Sequence, residues 1–132
     1  MKDASRTSLR VLVVDDYMLT RDMVVSILKQ LGFTNISTAE DGRQALHLMR
    51  ENTYNLVICD WNMPRMTGIE LLREVRQERN YVKTPFLLLT AEAYKENVLE
   101  ALDAGVTDYI TKPFTTQTLV AKLESALLRA SK

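Results

Sequence analysis

LVICDWNMP, residues 56–64, joins four consecutive apolar residues to a carboxylate, Asp60, and then to a polar turn. An uninterrupted apolar run of this length is typical of a central parallel strand that helices cover on both faces. An earlier run, Val11–Val14, has the same form and also ends in acid, at Asp15 and Asp16. If the two runs are neighbouring parallel strands, three carboxylates meet at one edge of the sheet. Two charges about 4 Å apart repel by on the order of 4 kcal/mol at an effective dielectric constant of about 20. Such a cluster predicts a site for a cation, a proton or a nucleophile.

The rest of the chain alternates short β-rich segments with helical periodicity. Five β-α units in succession predict right-handed crossovers, and therefore a doubly wound α/β fold with a parallel sheet and helices on both faces. The strands are expected at residues 9–14, 36–39, 56–59, 85–89 and 109–110. The apolar stripe of the first helix is expected to consist of Leu19, Met23, Ile27, Leu28 and Leu31.

Residues that favour helix ends mark the helix boundaries. Glycine commonly follows the last turn of a helix, and a threonine with a glutamate three residues later forms a capping box. The signals are Gly32 and Gly105 as C-terminal stops, Asp41-Gly42 before the second helix, Thr67 with Glu70 before the third, and Thr115 or Thr116 before the last.

Composition narrows the function. At 132 residues the chain is expected to be one domain over residues 9–132, preceded by a flexible tail at residues 1–8. Seventeen basic and seventeen acidic residues give zero formal net charge, which disfavours nucleic-acid binding and a polybasic membrane surface. The single cysteine, Cys59, excludes an internal disulfide. There is no signal-peptide core and no apolar run near the roughly 20 residues of a membrane span. We therefore expect a cytoplasmic soluble protein.

Chemically capable side chains follow the ends of four predicted strands. Ligands of open α/β sheets bind outside the carboxyl ends of the strands, and the residues found there are Asp15, Asp16, Asp60, Thr90 and Lys112. Carboxylates are oxygen ligands that suit Mg²⁺, and an aspartate can attack phosphorus to form an acyl phosphate. A cation and the ammonium group can offset charge on a transferring phosphoryl group. The hydroxyl group can donate a hydrogen bond to it.

A set of motifs in order between residues 11 and 122 resembles the receiver domains of two-component response regulators, in particular the single-domain receivers of chemotaxis. Each motif alone is weak, but the whole set at the family's spacing is specific. The motifs are Val13-Val14-Asp15-Asp16, Ala39-Glu40-Asp41-Gly42, Asp60-Trp61-Asn62-Met63-Pro64, Thr90-Ala91-Glu92-Ala93, and Tyr109 with Lys112-Pro113-Phe114. The resemblance implies a flavodoxin-like (βα)5 fold with a five-stranded parallel sheet in the order 2-1-3-4-5, and a cis peptide bond before Pro113.

The resemblance also implies a role for each residue at the strand ends. Asp60 would accept a phosphoryl group, and Thr90 and Lys112 would hold it. The protein would catalyse its own phosphorylation and slow hydrolysis, and would otherwise be a signalling phosphoacceptor and not an enzyme. The Mg²⁺ ligands would be Asp16, Asp60, the carbonyl of Asn62 and, mainly through water, Asp15.

Partners follow from the same resemblance. The phosphoryl donor would be a sensor histidine kinase of the chemotaxis type, and the output would be a flagellar motor switch or another downstream protein, with a phosphatase as a further partner. The protein would act as a monomer. Tyr109 would be a rotameric switch within a partner-binding face that consists of Tyr94, Lys95, Val98, Tyr109 and Lys122.

Two other functions are compatible with parts of the pattern. An aspartate-nucleophile phosphatase typically carries a second aspartate two residues after the nucleophile, but Asn62 occupies that position and cannot do acid–base work. A receiver that serves as a phosphate sink, without an output of its own, has the same site residues. The glycines form no phosphate-binding loop pattern, so the sequence does not support a nucleotide enzyme.

Overall fold

Five parallel strands form one sheet in the order β2-β1-β3-β4-β5 in a computed structural model that describes residues 4–91 and 95–130. The strands are β1 (Arg10–Val14), β2 (Asn35–Ala39), β3 (Leu56–Asp60), β4 (Phe86–Thr90) and β5 (Asp108–Thr111). The helices are α1 (Met18–Gln30), α2 (Gly42–Glu51), α3 (Gly68–Arg76), α4 (Lys95–Ala104) and α5 (Thr116–Ala130). The predicted (βα)5 flavodoxin-like fold and its strand order are confirmed.

Alternate residues of each central strand enter two separate cores, because successive side chains of a strand point to opposite faces. One core lies between the sheet and helices α1 and α5, and includes Val13, Ile58 and Leu89. The other lies between the sheet and helices α2, α3 and α4, and includes Val14 and Cys59. Both faces of β1, β3 and β4 are therefore buried, which explains why these strands read as continuous apolar runs.

The helix ends follow the sequence signals. Gly32 and Gly105 have positive φ angles of 104° and 93°, which glycine adopts without a steric penalty. The Thr67–Glu70 capping box is present, with both reciprocal hydrogen bonds. Thr115 caps α5, since its hydroxyl accepts a hydrogen bond from the Thr118 amide at 3.1 Å.

The predicted apolar stripe of α1 was wrong in its first half. Leu19 and Met23 are 64% and 43% exposed, whereas Val24, Ile27 and Leu28 are the buried residues of this helix. Met23 precedes Val24 by one residue, so its side chain is turned about 100° away from the buried row. The first turn of α1 therefore presents apolar side chains to solvent.

The segment before β1 has a defined conformation where the structure describes it. Ala4–Ser8 forms a 3-10 helix, and residues 1–3 lie outside the described residues. Arg6 ties this helix to the body of the domain, because its guanidinium contacts Glu124 at 2.9 Å and donates to the Leu31 carbonyl at 3.0 Å. The tail expected at residues 1–8 is thus helical from residue 4, and its flexibility stays a prediction.

Among the described residues, no helix combines the length and the apolar character needed to cross a membrane.

Candidate phosphoacceptor site

Three carboxylates meet at the carboxyl edge of the sheet. Asp15 and Asp16 follow β1 directly, and Asp60 is the last residue of β3. The two strands are paired with Val14 opposite Cys59, which places Asp15 beside Asp60. One oxygen of each of the three carboxylates lies within 4.8 Å of the others. Asp15 is fully buried and Asp60 is 7% exposed, while Asp16 is exposed to solvent.

Lys112 brings one positive charge into this cluster. It directly follows β5, and its ammonium lies 2.8 Å from Asp60 Oδ1 and 3.4 Å from Asp15 Oδ2. Its backbone amide donates to the Thr90 carbonyl at 2.7 Å, and a cis peptide bond joins it to Pro113, as the resemblance implied. Burial alone would lower the pKa of Lys112, but the hydrogen bond to Asp60 and the attraction of Asp60 and Asp15 raise it overall. The ammonium is therefore charged at neutral pH.

The single ammonium does not neutralise the three acids. Burial raises the pKa of Asp60 above the ordinary value of an aspartate, the hydrogen bond from Lys112 opposes that rise, and the charge of Asp15 adds to it. Asp60 is thus a carboxylate held in a position that disfavours its own ionisation. A hard divalent cation relieves this repulsion, and three close carboxylate oxygens are a donor set that fits Mg²⁺.

The loop after Asp60 is held by two close backbone approaches. The Gly68 amide donates to the Trp61 carbonyl at 2.8 Å, and a Cβ atom at Gly68 would overlap the carbonyl oxygen of Asp60. The Gly42 amide likewise donates to the Met66 carbonyl at 3.2 Å, and a Cβ atom there would lie 2.5 Å from that oxygen. Glycine is thus needed at both helix starts for the loop to pack against α2 and α3.

Sequence reasoning missed an ion pair that fastens the same loop. Arg65 has a positive φ of 67°, and its Nε atom donates to Asp41 Oδ2 at 3.0 Å. Asp41 Oδ1 accepts from the Gln44 amide at 2.8 Å and so caps α2. The hydrogen bond from Gln44, followed by that from Arg65, lowers the pKa of Asp41 against the opposing effect of burial. No local pattern signals a contact between residues 24 positions apart.

Thr90 lies on β4, the strand next to that of Asp60, and Tyr109 lies on β5, the strand beyond it. Asp60 on β3 is paired with Leu89, which precedes Thr90 on β4, and Leu88 on β4 is paired with Tyr109 on β5. Asp60, Thr90 and Tyr109 are therefore on three successive strands of the sheet. Thr90 is buried at the end of β4. Tyr109 is half-buried and packs against the core between the sheet and α4.

The remaining predicted residues differ in their exposure and in how far the structure describes them. Asn62 is exposed in the loop after Asp60, and Val98 is half-buried on α4. Lys122 on α5 places its ammonium 5.5 Å from the ring centroid of Tyr109. Lys95 is the first residue of α4, with only its backbone described, and Tyr94 lies outside the described residues.

The family profile described as "Response regulator receiver domain" matches residues 11–124. The chain is a response regulator receiver domain. It is similar to the protein named Chemotaxis protein CheY of Pseudomonas aeruginosa, with 42% identity over 93% of this chain and 99% of the relative. A solved structure of the chemotaxis response regulator CheY4 of Vibrio cholerae superposes with a TM-score of 0.85 at 39% identity, over 90% of this chain and 98% of that one.

A third relative carries a metal ion. The receiver domain of the sensor histidine kinase PA1611 of Pseudomonas aeruginosa has a TM-score of 0.82 at 28% identity, over 90% of this chain and 97% of that chain. Its structure has a magnesium ion coordinated in the active-site cleft. Receiver domains of this kind are signalling phosphoacceptors and not classical enzymes. The acidic cluster of this receiver domain fits both Mg²⁺ binding and phosphorylation.

Proposed function

We propose that this receiver domain takes a phosphoryl group from a histidine kinase onto Asp60 and thereby switches a partner-binding face. The observation that carries the proposal is the ammonium of Lys112 at 2.8 Å from the Asp60 carboxylate, inside a cluster of three acids. Phosphoryl transfer requires a charged nucleophile with a fixed cation beside it, and the buried carboxylate of Asp60 beside Lys112 has this arrangement.

Each residue of the site has its own role in the phosphoryl transfer. A carboxylate oxygen of Asp60 attacks phosphorus, the new P–O bond forms as the P–N bond to the donor histidine breaks, and the bonding electron pair stays on the imidazole nitrogen. Lys112 offsets the charge of the phosphoryl oxygens, and the Thr90 hydroxyl donates a hydrogen bond to one of them. Asp16, Asp60 and the Asn62 carbonyl, with Asp15 through water, would hold Mg²⁺, which supplies further positive charge at the phosphoryl group when bound.

An exposed apolar patch beside the site supports docking of the phosphoryl donor. Tyr17, Met18, Leu19 and Met23 are 58%, 59%, 64% and 43% exposed. The patch adjoins the acids, because the Tyr17 amide donates to Asp15 Oδ1 at 2.9 Å. Clustered apolar side chains on a surface commonly mark a protein contact. A helix of the kinase that carries the phosphohistidine can cover this patch while its imidazole faces Asp60.

The output would pass across the sheet to β5. A phosphoryl group on Asp60 attracts the Thr90 hydroxyl, and Tyr109 on the next strand turns into the space that the hydroxyl leaves. The face around α4, β5 and α5 then changes shape for its partner. The chemotaxis names of the similar proteins favour a motor or another chemotaxis protein as that partner. Cytoplasmic location and a monomeric state stay predictions.

Trapping of the acyl phosphate tests the assignment of Asp60. The protein is incubated with Mg²⁺ and acetyl phosphate, reduced with borohydride and mapped by mass spectrometry. We expect label on Asp60, none in Asp60→Asn, and normal labelling in Asp22→Asn, which changes an exposed aspartate of α1. Equal labelling of Asp60→Asn and the unaltered protein would contradict the proposal.

The pathway is tested separately in the source cell. Replacement of Asp60 by Asn in the chromosomal gene should abolish directed swimming while flagella are still assembled. Normal chemotaxis in that strain would exclude a chemotactic output but leave the phosphoacceptor chemistry in place.

A further inference from the structure

Asp108, the first residue of β5, gathers two basic side chains and a backbone amide. The Lys122 ammonium on α5 lies 3.1 Å from Asp108 Oδ1 and 3.2 Å from Oδ2. Arg129, the second-to-last residue of the same helix, lies 3.8 Å from Oδ2. The Tyr109 amide donates to Oδ1 at 2.8 Å. Aspartate is disfavoured in strands, so its presence at this position is explained by these contacts and not by strand propensity.

The ammonium that Asp108 holds also lies over the ring of Tyr109. The distance from Lys122 Nζ to the ring centroid is 5.5 Å, which is within the range of a cation–π interaction. The Tyr109 ring packs against the core between the sheet and α4. It is therefore held between an apolar surface and a fixed cation.

We propose that Lys122 and Asp108 are positioning residues that hold the Tyr109 ring in its present orientation and so oppose the switch to the phosphorylated form. This inference rests on the proposed function, and adds to it the device that sets how readily the switch operates. Rotation of Tyr109 about its side-chain torsions carries the ring away from Lys122. The ammonium cannot follow the ring without separating from both oxygens of Asp108. The cation–π contact thus exists in one ring orientation only, and a contact made in one state alone shifts the equilibrium toward that state.

The size of the bias follows from the exposure of the pair. The side chains of Lys122 and Asp108 are 35% and 25% exposed, so the contact is partly screened by solvent. A cation–π contact at such a site shifts a two-state equilibrium about two- to fivefold. Loss of the ammonium should therefore make the protein switch more readily, without a change in the phosphoacceptor site.

The experiment compares four single variants, and the double variant of Lys122→Met with Asp108→Asn, with the unaltered protein. Lys122→Met removes the charge and keeps an unbranched chain, whereas Lys122→Arg keeps a cation. Asp108→Asn releases the ammonium, while its side-chain oxygen still accepts a hydrogen bond from the Tyr109 amide. Lys83→Met is the control, since it removes an exposed charge elsewhere on the surface. Two quantities are measured: the NMR signals of the labelled Tyr109 ring in the free protein, and the affinity for beryllofluoride, a phosphoryl mimic, at fixed Mg²⁺.

We expect Lys122→Met to bind beryllofluoride about two- to fivefold more tightly. Its free-state Tyr109 signals should move toward their position in the complex. Lys122→Arg and Lys83→Met should behave like the unaltered protein. Asp108→Asn should shift both quantities in the same direction as Lys122→Met, and should add nothing in the double variant, because both substitutions disrupt one unit.

Unchanged Tyr109 signals and unchanged affinity in Lys122→Met would overturn the inference, as would weaker binding or additive effects of the two substitutions. A failure of the unaltered protein to bind beryllofluoride would overturn the proposed function. The Tyr109 signals of the free variants would still decide whether Lys122 positions the ring.

Discussion

At the scale of single residues, the proposed site centres on one carboxylate, that of Asp60, whose neighbours have opposite effects on its ionisation. The ammonium of Lys112 stabilises the ionised form of Asp60, whereas burial and the charge of Asp15 destabilise it. The net effect is a raised pKa for Asp60, so the ionised carboxylate lowers the stability of the folded protein. The proposed roles of Asp60 as nucleophile and metal ligand account for a carboxylate that lowers stability, since perturbed pKa values commonly occur at functional sites.

Asp60→Asn should therefore stabilise the protein in the absence of Mg²⁺ at neutral pH. Since the folded-state pKa of Asp60 is above the unfolded value, its destabilising effect is fully present above the folded pKa and disappears as pH falls below the ordinary aspartate value of 3.8. Urea unfolding of both proteins between pH 3 and pH 7 measures this difference. A variant that is less stable at pH 7, or a difference that grows toward acid, would contradict the reasoning.

The ionised carboxylate of Asp41 stabilises the folded protein, in contrast to that of Asp60, because its contacts lower its pKa. Asp41→Ala should lose about 1 kcal/mol of stability at pH 7 with the helix cap. Asp41→Asn should lose less, since asparagine also caps and the pair with Arg65, which is 65% exposed, contributes little. The contribution of the charge is present above the unfolded pKa and is lost as pH falls through the lowered folded pKa. Denaturation of the unaltered protein, Asp41→Ala and Asp41→Asn as a function of pH measures the order of their stabilities. A larger loss of stability in Asp41→Asn than in Asp41→Ala would refute the prediction.

At the scale of elements, the loop after β3 depends on how closely α2 and α3 approach it. Gly68 begins α3 against the carbonyl of Asp60, and Gly42 begins α2 against Met66. The capping box of Thr67 and the cap of Asp41 fix where both helices start. Asp60 is thus positioned by the ends of two helices as well as by its own strand.

Gly68→Ala should disturb the site as well as the fold. The added Cβ atom would overlap the Asp60 carbonyl and lie 2.9 Å from Leu88 Cδ2, and overpacking of this kind costs about 1–3 kcal/mol. Gly105→Ala is the matched control, since its φ of 93° costs about 1–2 kcal/mol at a point remote from Asp60. Acetyl phosphate labelling at a temperature where both variants are folded should decrease in Gly68→Ala only. Equal labelling of the two variants would show that the close approach does not position Asp60.

At the scale of the whole molecule, the parallel sheet connects residues that are distant in sequence. Asp15, Asp60, Thr90 and Lys112 share one edge because every strand runs in the same direction. Tyr109 is on β5, the strand that Lys112 follows directly, so packed strands join the site to the proposed switch face. Coupling across such a sheet is reciprocal, and a partner that prefers the switched face also favours phosphorylation.

Mg²⁺ should stabilise the whole domain, because it binds the folded cluster and relieves its repulsion. The gain should grow with concentration and reach about 2.7 kcal/mol at a hundredfold excess over Kd. Asp16→Ala should abolish the gain and raise the stability of the metal-free protein, since it removes one repelling charge. Thermal unfolding is measured with Mg²⁺ and, as the reference, in buffer that a chelator keeps free of divalent cations. Unfolding that is indifferent to millimolar Mg²⁺ would contradict the proposed metal site.

The local patterns of the sequence were sufficient for the fold class and for the acidic cluster. Apolar runs that end in Asp15, Asp16 and Asp60 identified the central strands and the acidic cluster, because buried parallel strands have no polar face to interrupt the run. Glycine and threonine signals located the helix ends to within a residue or two, since caps depend on neighbouring residues only. The resemblance to receiver domains supplied the strand order.

Contacts between distant segments were decided by the tertiary structure alone. The Arg65–Asp41 and Lys122–Asp108 pairs join different elements, and the packing of α1 determines which of its apolar side chains face the sheet. Leu19 has the right residue type for a core position but lies on the wrong side of its helix. Periodicity shows that a helix has an apolar side, but the direction in which that side points depends on how the completed sheet orients the helix, and this is a property of the packed molecule.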